Sequence, residues 1–232
     1  MRRILAIIVM LAICCFGFAA CRSADTESAS KETDVVLKPE QIQRDTYLVL
    51  VNKENKLPDD WPDRVDLTLA YNSLGEEMYV EKITLEHFEA LRDELISQGV
   101  DIELDSVYRS VEEQQAIWDE WASEYGEDYC NRYLAVPGYS EHHTGLAIDI
   151  FVISDNNKII RDNDDMIADI EDFEKIHSLL PKYGFILRYP EGKEDITGYA
   201  YEPWHIRYVG EDAAKIIDNC GMTLEEYLLL ES

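Results

Sequence analysis

Residues 140–149 have the sequence SEHHTGLAID, and residues 202–205 have the sequence EPWH. Three of the five histidines of the chain lie in these two stretches, together with acidic residues. A catalytic zinc site takes three protein ligands from His, Asp, Glu and Cys side chains and leaves one position for water. His142, Asp149 and His205 form such a set, so the two stretches predict a metal site that the fold must bring together.

The first stretch continues into an apolar segment, 146–152, that is typical of a buried strand. Side chains alternate across a strand, so Asp149 shares a face with Ala147 and Phe151. The opposite face, directed to the core, carries Leu146, Ile148 and Ile150. A carboxylate in so apolar a strand needs a compensating charge. A metal ion or an arginine could supply it, and the small side chain of Ala147 leaves space for an ion.

The second stretch leads into an alternating segment, 204–210, on which His205 and Arg207 share one face. Glu202 lies three residues before His205, near the predicted metal without having to be a ligand, as a general base requires. In the alternative interpretation both histidines of the set are satisfied core residues. We favour the metal site because its residues converge from two separate stretches.

The rest of the chain mixes short apolar segments with amphipathic ones. Further strands are predicted at 47–51, 65–71, 102–108 and 183–189. Helices are predicted to begin near Thr84, Ser110 and Asp169, and another ends the chain. In the helix after Ser110, the buried side should consist of Ile117, Trp118 and Trp121. Because no regular β-α-β period is present, we predict a single α+β domain with a mainly antiparallel sheet flanked by helices.

The composition limits the partners of the protein. Hydrophobic residues make up 46% of the 232 residues, which is enough for a core, and the formal net charge is -27. Phosphate binding needs clustered Lys and Arg, so a nucleic-acid partner is excluded. The charge indicates a soluble, self-repelling surface, and we expect a monomer. The sequence leaves open whether Cys130 and Cys220 pair or remain free thiols.

The N-terminal segment predicts export. Arg2 and Arg3 precede a run without charged residues, 4–20, and polar residues follow Cys21 directly. This arrangement is typical of a signal peptide over residues 1–21. The uncharged run could alternatively remain in place as a short membrane anchor.

Residues 18–21, with the sequence FAAC, resemble a bacterial lipoprotein cleavage box, although phenylalanine stands where leucine is usual. The resemblance implies that Cys21 is lipidated, with plain secretion as the alternative. Residues 22–44 are rich in Ser, Thr and charged residues and predict a flexible linker. Residues 45–232 would form the domain, held outside the cytoplasm at a bacterial cell surface through the lipid anchor.

The two main stretches resemble a known family. The pattern SxHxxGxAxD at 140–149, followed by EPWHxRYVG at 202–210, is similar to the VanY-type D-alanyl-D-alanine carboxypeptidases. These zinc peptidases share a fold with the hedgehog signalling domain. YRS at 108–110, with Gln114, resembles a third element of the family, and LVNK at 50–53 matches its opening strand. The resemblance extends from about residue 47 to residue 210.

The resemblance implies a role for each residue of the two stretches. His142, Asp149 and His205 would bind Zn²⁺, and Glu202 would activate the water. Arg109 would hold the scissile carbonyl oxygen, where negative charge develops in the transition state.

The resemblance also assigns a pocket and a substrate. Ser140 and Gln114 match positions that line the substrate pocket. By chemistry alone His143 could replace His142 as a ligand, but the spacing of the family pattern selects His142. The implied activity is removal of the terminal D-alanine from peptidoglycan stem peptides. The alternatives are an L,D-carboxypeptidase acting on tetrapeptide stems and, from another class, a zinc-containing wall-binding module without turnover.

Overall fold

The two strands that carry candidate ligands are neighbours in one antiparallel sheet. The structure, a computed structural model, describes residues 46–153, 158–161, 163–168 and 170–231. Its strands are β1 (Leu67–Tyr71), β2 (Glu77–Glu81), β3 (Asp101–Ser106), β4 (Ala147–Ile153), β5 (Ile159–Ile160), β6 (Phe185–Leu187) and β7 (His205–Tyr208). β1 and β2 form an antiparallel pair, and the others form a sheet of order β3-β4-β7-β6 in which β5 pairs with the end of β4. The antiparallel sheet of the predicted α+β domain is confirmed.

Helices surround this sheet, as predicted. They are α1 (Lys82–Ser97), α2 (Val111–Tyr125), α3 (Glu127–Tyr133), α4 (Asn163–Ala168), α5 (Ile170–Leu179), α6 (Glu194–Thr197), α7 (Glu211–Cys220) and α8 (Leu224–Glu231). Ser110 caps α2, as the sequence predicts, and Glu113 completes a capping box there. Within the described part of the chain, no helix has the length and apolar character needed to cross a membrane.

Alternation along β4 separates its side chains as the sequence predicts. Ile148, Ile150 and Val152 enter the main core, where they pack with residues of α1 such as Leu91 and of α5 such as Ile176. Burial of one such side chain stabilises the fold by about 1.5–3 kcal/mol. The other face of β4 carries the candidate ligand Asp149, so the core fixes the strand while its second face serves the site.

The segment 47–51 is not a strand, so that prediction was wrong. The Tyr47 and Val49 carbonyls accept hydrogen bonds from Arg207 Nη2 at 3.0 and 2.9 Å, which uses groups that a strand would offer to its neighbour. Leu48 and Leu50 pack against a second hydrophobic cluster formed with α7 and α8. The apolar content of the segment therefore reflects packing between two clusters.

The apolar side of α2 is not buried, contrary to the prediction. Ile117, Trp118 and Trp121 are all half-exposed, and Gln114 is the buried residue of the helix. α2 packs mainly against α3, and both helices lie at the edge of a cavity. The apolar stripe is thus left partly open to that cavity.

The cysteines of the described residues do not form a disulfide. Cys130 is a buried free thiol and Cys220 an exposed one, which agrees with the unpaired alternative. Cys21, the predicted signal segment 1–21 and the predicted linker 22–44 lie outside the described residues.

Candidate metal centre and active site

His142, Asp149 and His205 converge where β4 and β7 pair. Asp149 and His205 stand opposite each other in the strand register, and His142 belongs to a 3-10 helix, Glu141–Thr144, that precedes β4. Gly145, with φ of 72°, ends this helix and turns the chain into the strand. His142 Nε2 lies 3.1 Å from Asp149 Oδ2, and His205 Nδ1 lies 2.9 Å from Asp149 Oδ1. One ligand atom from each residue lies within 4.8 Å of the other two.

The hydrogen bonds of the two adjacent histidines distinguish them as candidate ligands. His143 Nε2 accepts from the Gly138 N–H at 3.0 Å and Nδ1 donates to the Arg109 carbonyl at 2.6 Å, so both of its ring nitrogens are occupied. His142 Nδ1 donates to the Val107 carbonyl at 2.7 Å. That bond leaves Nε2 as the unprotonated nitrogen, directed into the cluster. The geometry supports His142, and not His143, as the ligand.

The protonation states of the three groups of the cluster depend on one another. Burial alone would raise the pKa of Asp149, but the two imidazoles hold it well below its ordinary value. Burial lowers the pKa of His142 and so favours its neutral form. For His205 the effect of burial is outweighed by the Asp149 carboxylate, and the pKa of His205 rises to about 10. A positive charge at the centre of the cluster, either a proton or a metal ion, is therefore required to compensate Asp149.

The donor set fits zinc. Two histidine nitrogens and one carboxylate oxygen are ligand types of catalytic zinc sites, in which water takes a further position. Asp149 Oδ1 is buried and has no well-directed hydrogen bond within the described residues, although His205 Nδ1 lies 2.9 Å away, so it can accept an additional electropositive partner. The cluster lines a cavity of about 380 Å³ that is large enough for water and part of a substrate.

Glu202 lies beside the candidate ligands without belonging to them. Its Oε2 atom is 3.8 Å from His205 Nδ1, and its side chain, 21% exposed, lines the cavity. Its backbone N–H donates to the Tyr189 carbonyl at 3.2 Å, which fixes the loop before β7. Burial raises the pKa of Glu202 to about 7. A carboxyl group with such a pKa can both accept and release a proton near neutral pH.

Arg109 lines the same cavity, and hydrogen bonds to two neighbouring side chains hold its guanidinium in position. Its Nη1 donates to Gln114 Oε1 at 2.7 Å, and its Nη2 donates to Ser106 Oγ at 2.8 Å. Its backbone N–H donates to the His142 carbonyl at 3.1 Å, which ties it to the metal cluster. Within the described residues no carboxylate forms an ion pair with Arg109, so its charge can serve a negatively charged group in the cavity.

Gln114 and Ser140 also line the cavity, but their polar groups make contacts within the protein. Gln114 accepts from Arg109 and donates through Nε2 to the Ala135 carbonyl at 2.8 Å. Ser140 Oγ accepts the His142 backbone N–H at 3.3 Å. These contacts position Arg109 and His142, and direct substrate binding by Gln114 or Ser140 stays a prediction.

Glu141 is a buried acidic residue of the site to which the sequence pattern assigns no role. Its Oε1 atom accepts from Arg188 Nε and from Arg207 Nη1, both at 2.7 Å. Arg188 also forms two hydrogen bonds with Glu225 of α8, at 2.9 and 2.6 Å. A signal for this cluster was present, because Arg207 shares a strand face with His205 and a buried arginine needs a carboxylate.

Comparison with known proteins identifies relatives of the chain. A model of the VanY family, described as D-alanyl-D-alanine carboxypeptidase, matches residues 77–211. A D-alanyl-D-alanine carboxypeptidase of Enterococcus faecalis (strain ATCC 700802 / V583) is 34% identical to this chain over 217 residues, which cover 88% of the chain and 74% of that relative.

Two solved structures are similar to the chain in sequence and fold. The LD-carboxypeptidase LdcB is 38% identical, with a TM-score of 0.66 over 82% of this chain and 86% of LdcB. A mutant of the vancomycin resistance D,D-pentapeptidase VanY from a VanB-type cassette, solved in complex with Zn(II), is 35% identical. Its TM-score is 0.64 over 78% of this chain and 98% of that protein. These similarities confirm the predicted fold class.

Proposed function

The chain belongs to the VanY family of D-alanyl-D-alanine carboxypeptidases, and we propose that it uses zinc to remove the terminal D-alanine from peptidoglycan stem peptides. The observation that carries this proposal is the convergence of His142, Asp149 and His205 in one cavity, with Glu202 beside them. The related VanY structure in complex with Zn(II) supports the choice of metal.

Glu202 has the position of the proton carrier in this reaction. When bound, zinc would supply Lewis-acid activation of the scissile carbonyl and of the attacking water. Glu202 takes a proton from the water as the water oxygen attacks the carbonyl carbon. It then gives this proton to the nitrogen of the leaving D-alanine as the C–N bond breaks. The products are a shortened peptide and free D-alanine.

Arg109 stabilises the carbonyl oxygen on which negative charge develops during the attack. Gln114 and Ser106 hold its guanidinium, so its position is set before the substrate binds. Donors that are oriented in advance need no reorganisation at the moment of reaction, which makes them effective in stabilising an oxyanion.

Cleavage of tetrapeptide stems by L,D-carboxypeptidase activity is the second candidate function. The observation that favours it is the 38% identity with LdcB, which is described as an LD-carboxypeptidase. A wall-binding module without turnover is a weaker alternative, because pure binding would need neither Glu202 nor Arg109 in the cavity.

For location, we propose export and anchoring through a lipidated Cys21, as the composition of residues 1–21 supports. This would place the site on the side of the membrane where peptidoglycan lies. Mass spectrometry of the full-length protein from bacterial membranes should detect a diacylglycerol-modified Cys21 at the new N-terminus. Recovery of the protein from the medium without lipid would instead indicate plain secretion.

The activity is tested by incubating the purified protein with pentapeptide and tetrapeptide stems, with and without a chelator. We expect D-alanine release from the pentapeptide, loss of that release with the chelator, and recovery when zinc is added. Preferred cleavage of the tetrapeptide would support the L,D alternative. Failure of the zinc-loaded protein to cleave either stem would contradict both enzymatic proposals.

A further inference from the structure

Glu141 faces the ring nitrogen of His205 that is not directed at Asp149. His205 Nδ1 lies 2.9 Å from Asp149 Oδ1, so this nitrogen belongs to the candidate metal cluster. His205 Nε2, on the opposite side of the ring, lies 3.5 Å from Glu141 Oε2. The Glu141 carboxylate and the metal cluster are thus joined through one imidazole.

The two facing atoms have no other hydrogen-bond partner. His205 Nε2 and Glu141 Oε2 are both buried and unpaired within the part of the chain that the structure describes. A buried N–H and a buried carboxylate oxygen that face each other are complementary, and buried polar groups in native proteins are nearly always paired. A shift of about 0.5 Å would bring the pair to ordinary hydrogen-bond length.

The carboxylate of Glu141 is held in place by two buried arginines. Arg188 Nε and Arg207 Nη1 both donate to Oε1, which leaves Oε2 for the histidine. Glu225 balances the second positive charge through its two hydrogen bonds with Arg188. The formal charges of these four residues cancel, so the cluster is self-contained without the metal ligands.

We propose that Glu141 is a positioning residue that accepts the Nε2–H of His205 and thereby keeps the Nδ1 lone pair directed at the metal. A hydrogen bond of this kind to the distal nitrogen fixes both the tautomer and the orientation of a metal-binding histidine. Glu141 touches neither substrate nor metal in this role. The inference rests on metal binding by His142, Asp149 and His205, as proposed above.

The test compares two substitutions of the same kind in one cluster, made in the full-length protein. Glu141→Gln removes the carboxylate that faces His205, and zinc affinity, measured by competition with a chelator, should fall about 10- to 100-fold. Glu225→Gln is the matched control, because it removes a carboxylate from Arg188 without touching His205. Zinc affinity of this control should stay within about threefold of the unmodified protein.

A second measurement uses the unsubstituted protein, so its result does not depend on whether a variant folds. In the zinc-loaded, unsubstituted protein, NMR of ¹⁵N-labelled histidine should show a slowly exchanging proton on His205 Nε2. Equal loss of zinc affinity in the Glu141→Gln and Glu225→Gln proteins, or no loss in Glu141→Gln, would overturn the positioning role alone. So would a His205 that bears no such proton. An unsubstituted protein that binds no zinc would overturn the proposed function together with this inference.

Discussion

Two walls of the same cavity are built in opposite ways. The sheet wall comprises β4, β7 and the 3-10 helix before β4, and it carries His142 and His205, which are 6% and 4% exposed. The helical wall comprises α2 and α3, and the residues with which it lines the cavity include Trp121, half-exposed, and Tyr133, 42% exposed. One wall is closed and charged, and the other is open and aromatic.

We expect this difference to separate the chemistry, on the sheet wall, from the contacts with the substrate side chains, on the helical wall. On the sheet wall a buried charge is costly unless it is paired, so Asp149 and Glu141 each face fixed partners and little adjustment is possible. On the helical wall the aromatic side chains contact one another, as Trp121 does with Tyr125 and Tyr129. We therefore expect changes in the sheet wall to abolish catalysis and changes in the helical wall to alter substrate preference.

The outer part of the helical wall is a cluster of rings. Trp121 contacts Tyr125 and Tyr129 at centroid distances of 5.9 and 6.0 Å, and Tyr129 contacts Tyr133 at 4.6 Å. Tyr125 is 52% exposed and Tyr129 39% exposed. Because these rings contact one another, we expect the wall to adapt to different side chains of a substrate.

The largest effect is expected at Glu202. Replacement by Ala should lower kcat/KM by about 10²- to 10⁴-fold, because proton transfer loses its carrier, while zinc stays bound to its three ligands. Metal content and D-alanine release measured on the same sample would check both parts. Glu191→Ala, which removes an exposed carboxylate from the same loop region, should keep full activity. An active Glu202→Ala enzyme would refute the role of this residue.

A smaller effect is expected at Arg109, where the two walls meet. Arg109→Ala should reduce kcat by about 10²- to 10³-fold, since an oriented donor to the developing oxyanion is lost. Zinc content should not change. Arg64→Ala provides a control on an exposed arginine that pairs with Asp60 away from the cavity. A change confined to KM would indicate that Arg109 binds the substrate equally in the ground state and the transition state.

The smallest effect is expected on the helical wall. Trp121→Ala should raise KM by about tenfold and leave kcat nearly unchanged, because it removes apolar contact area and no chemical group. Trp118→Ala is the matched control: Trp118 is also half-exposed on α2 but does not line the cavity. Steady-state kinetics on pentapeptide and tetrapeptide stems would also show whether the preference shifts. If kcat of Trp121→Ala fell as far as that of Glu202→Ala, the division between the walls would be wrong.

The sequence predicted the sheet wall well because strand alternation is a local rule. Asp149 and His205 face the site, and their apolar neighbours Ile148 and Ile206 face the core. The choice between His142 and His143 as the ligand requires more than the local sequence pattern. Family spacing selected His142, and the hydrogen bonds of His143 to Gly138 and Arg109 give the physical reason.

Predictions were wrong where a segment makes its main contacts with residues that are distant in sequence. The apolar segment 47–51 predicted a strand, but its carbonyls serve the side chain of Arg207. The apolar stripe on α2 predicted a core face, but Ile117 and Trp121 of this stripe border the cavity. The position of Arg207 on the same strand face as His205 indicates a buried carboxylate but does not identify it, and only the fold brings Arg188 and Arg207 to Glu141.

The hydrogen bonds that join Arg207 and Glu225 to residues 47–52 affect the order of folding. Arg207 bonds to the Tyr47 carbonyl across 160 residues, and Asn52 bonds to Glu225 across 173. Contacts between such distant residues form late, because a long loop must close before they are made. A chain synthesised from its N-terminus cannot make either bond until β7 and α8 have been produced. We therefore expect residues 47–52 to dock among the last parts of the domain.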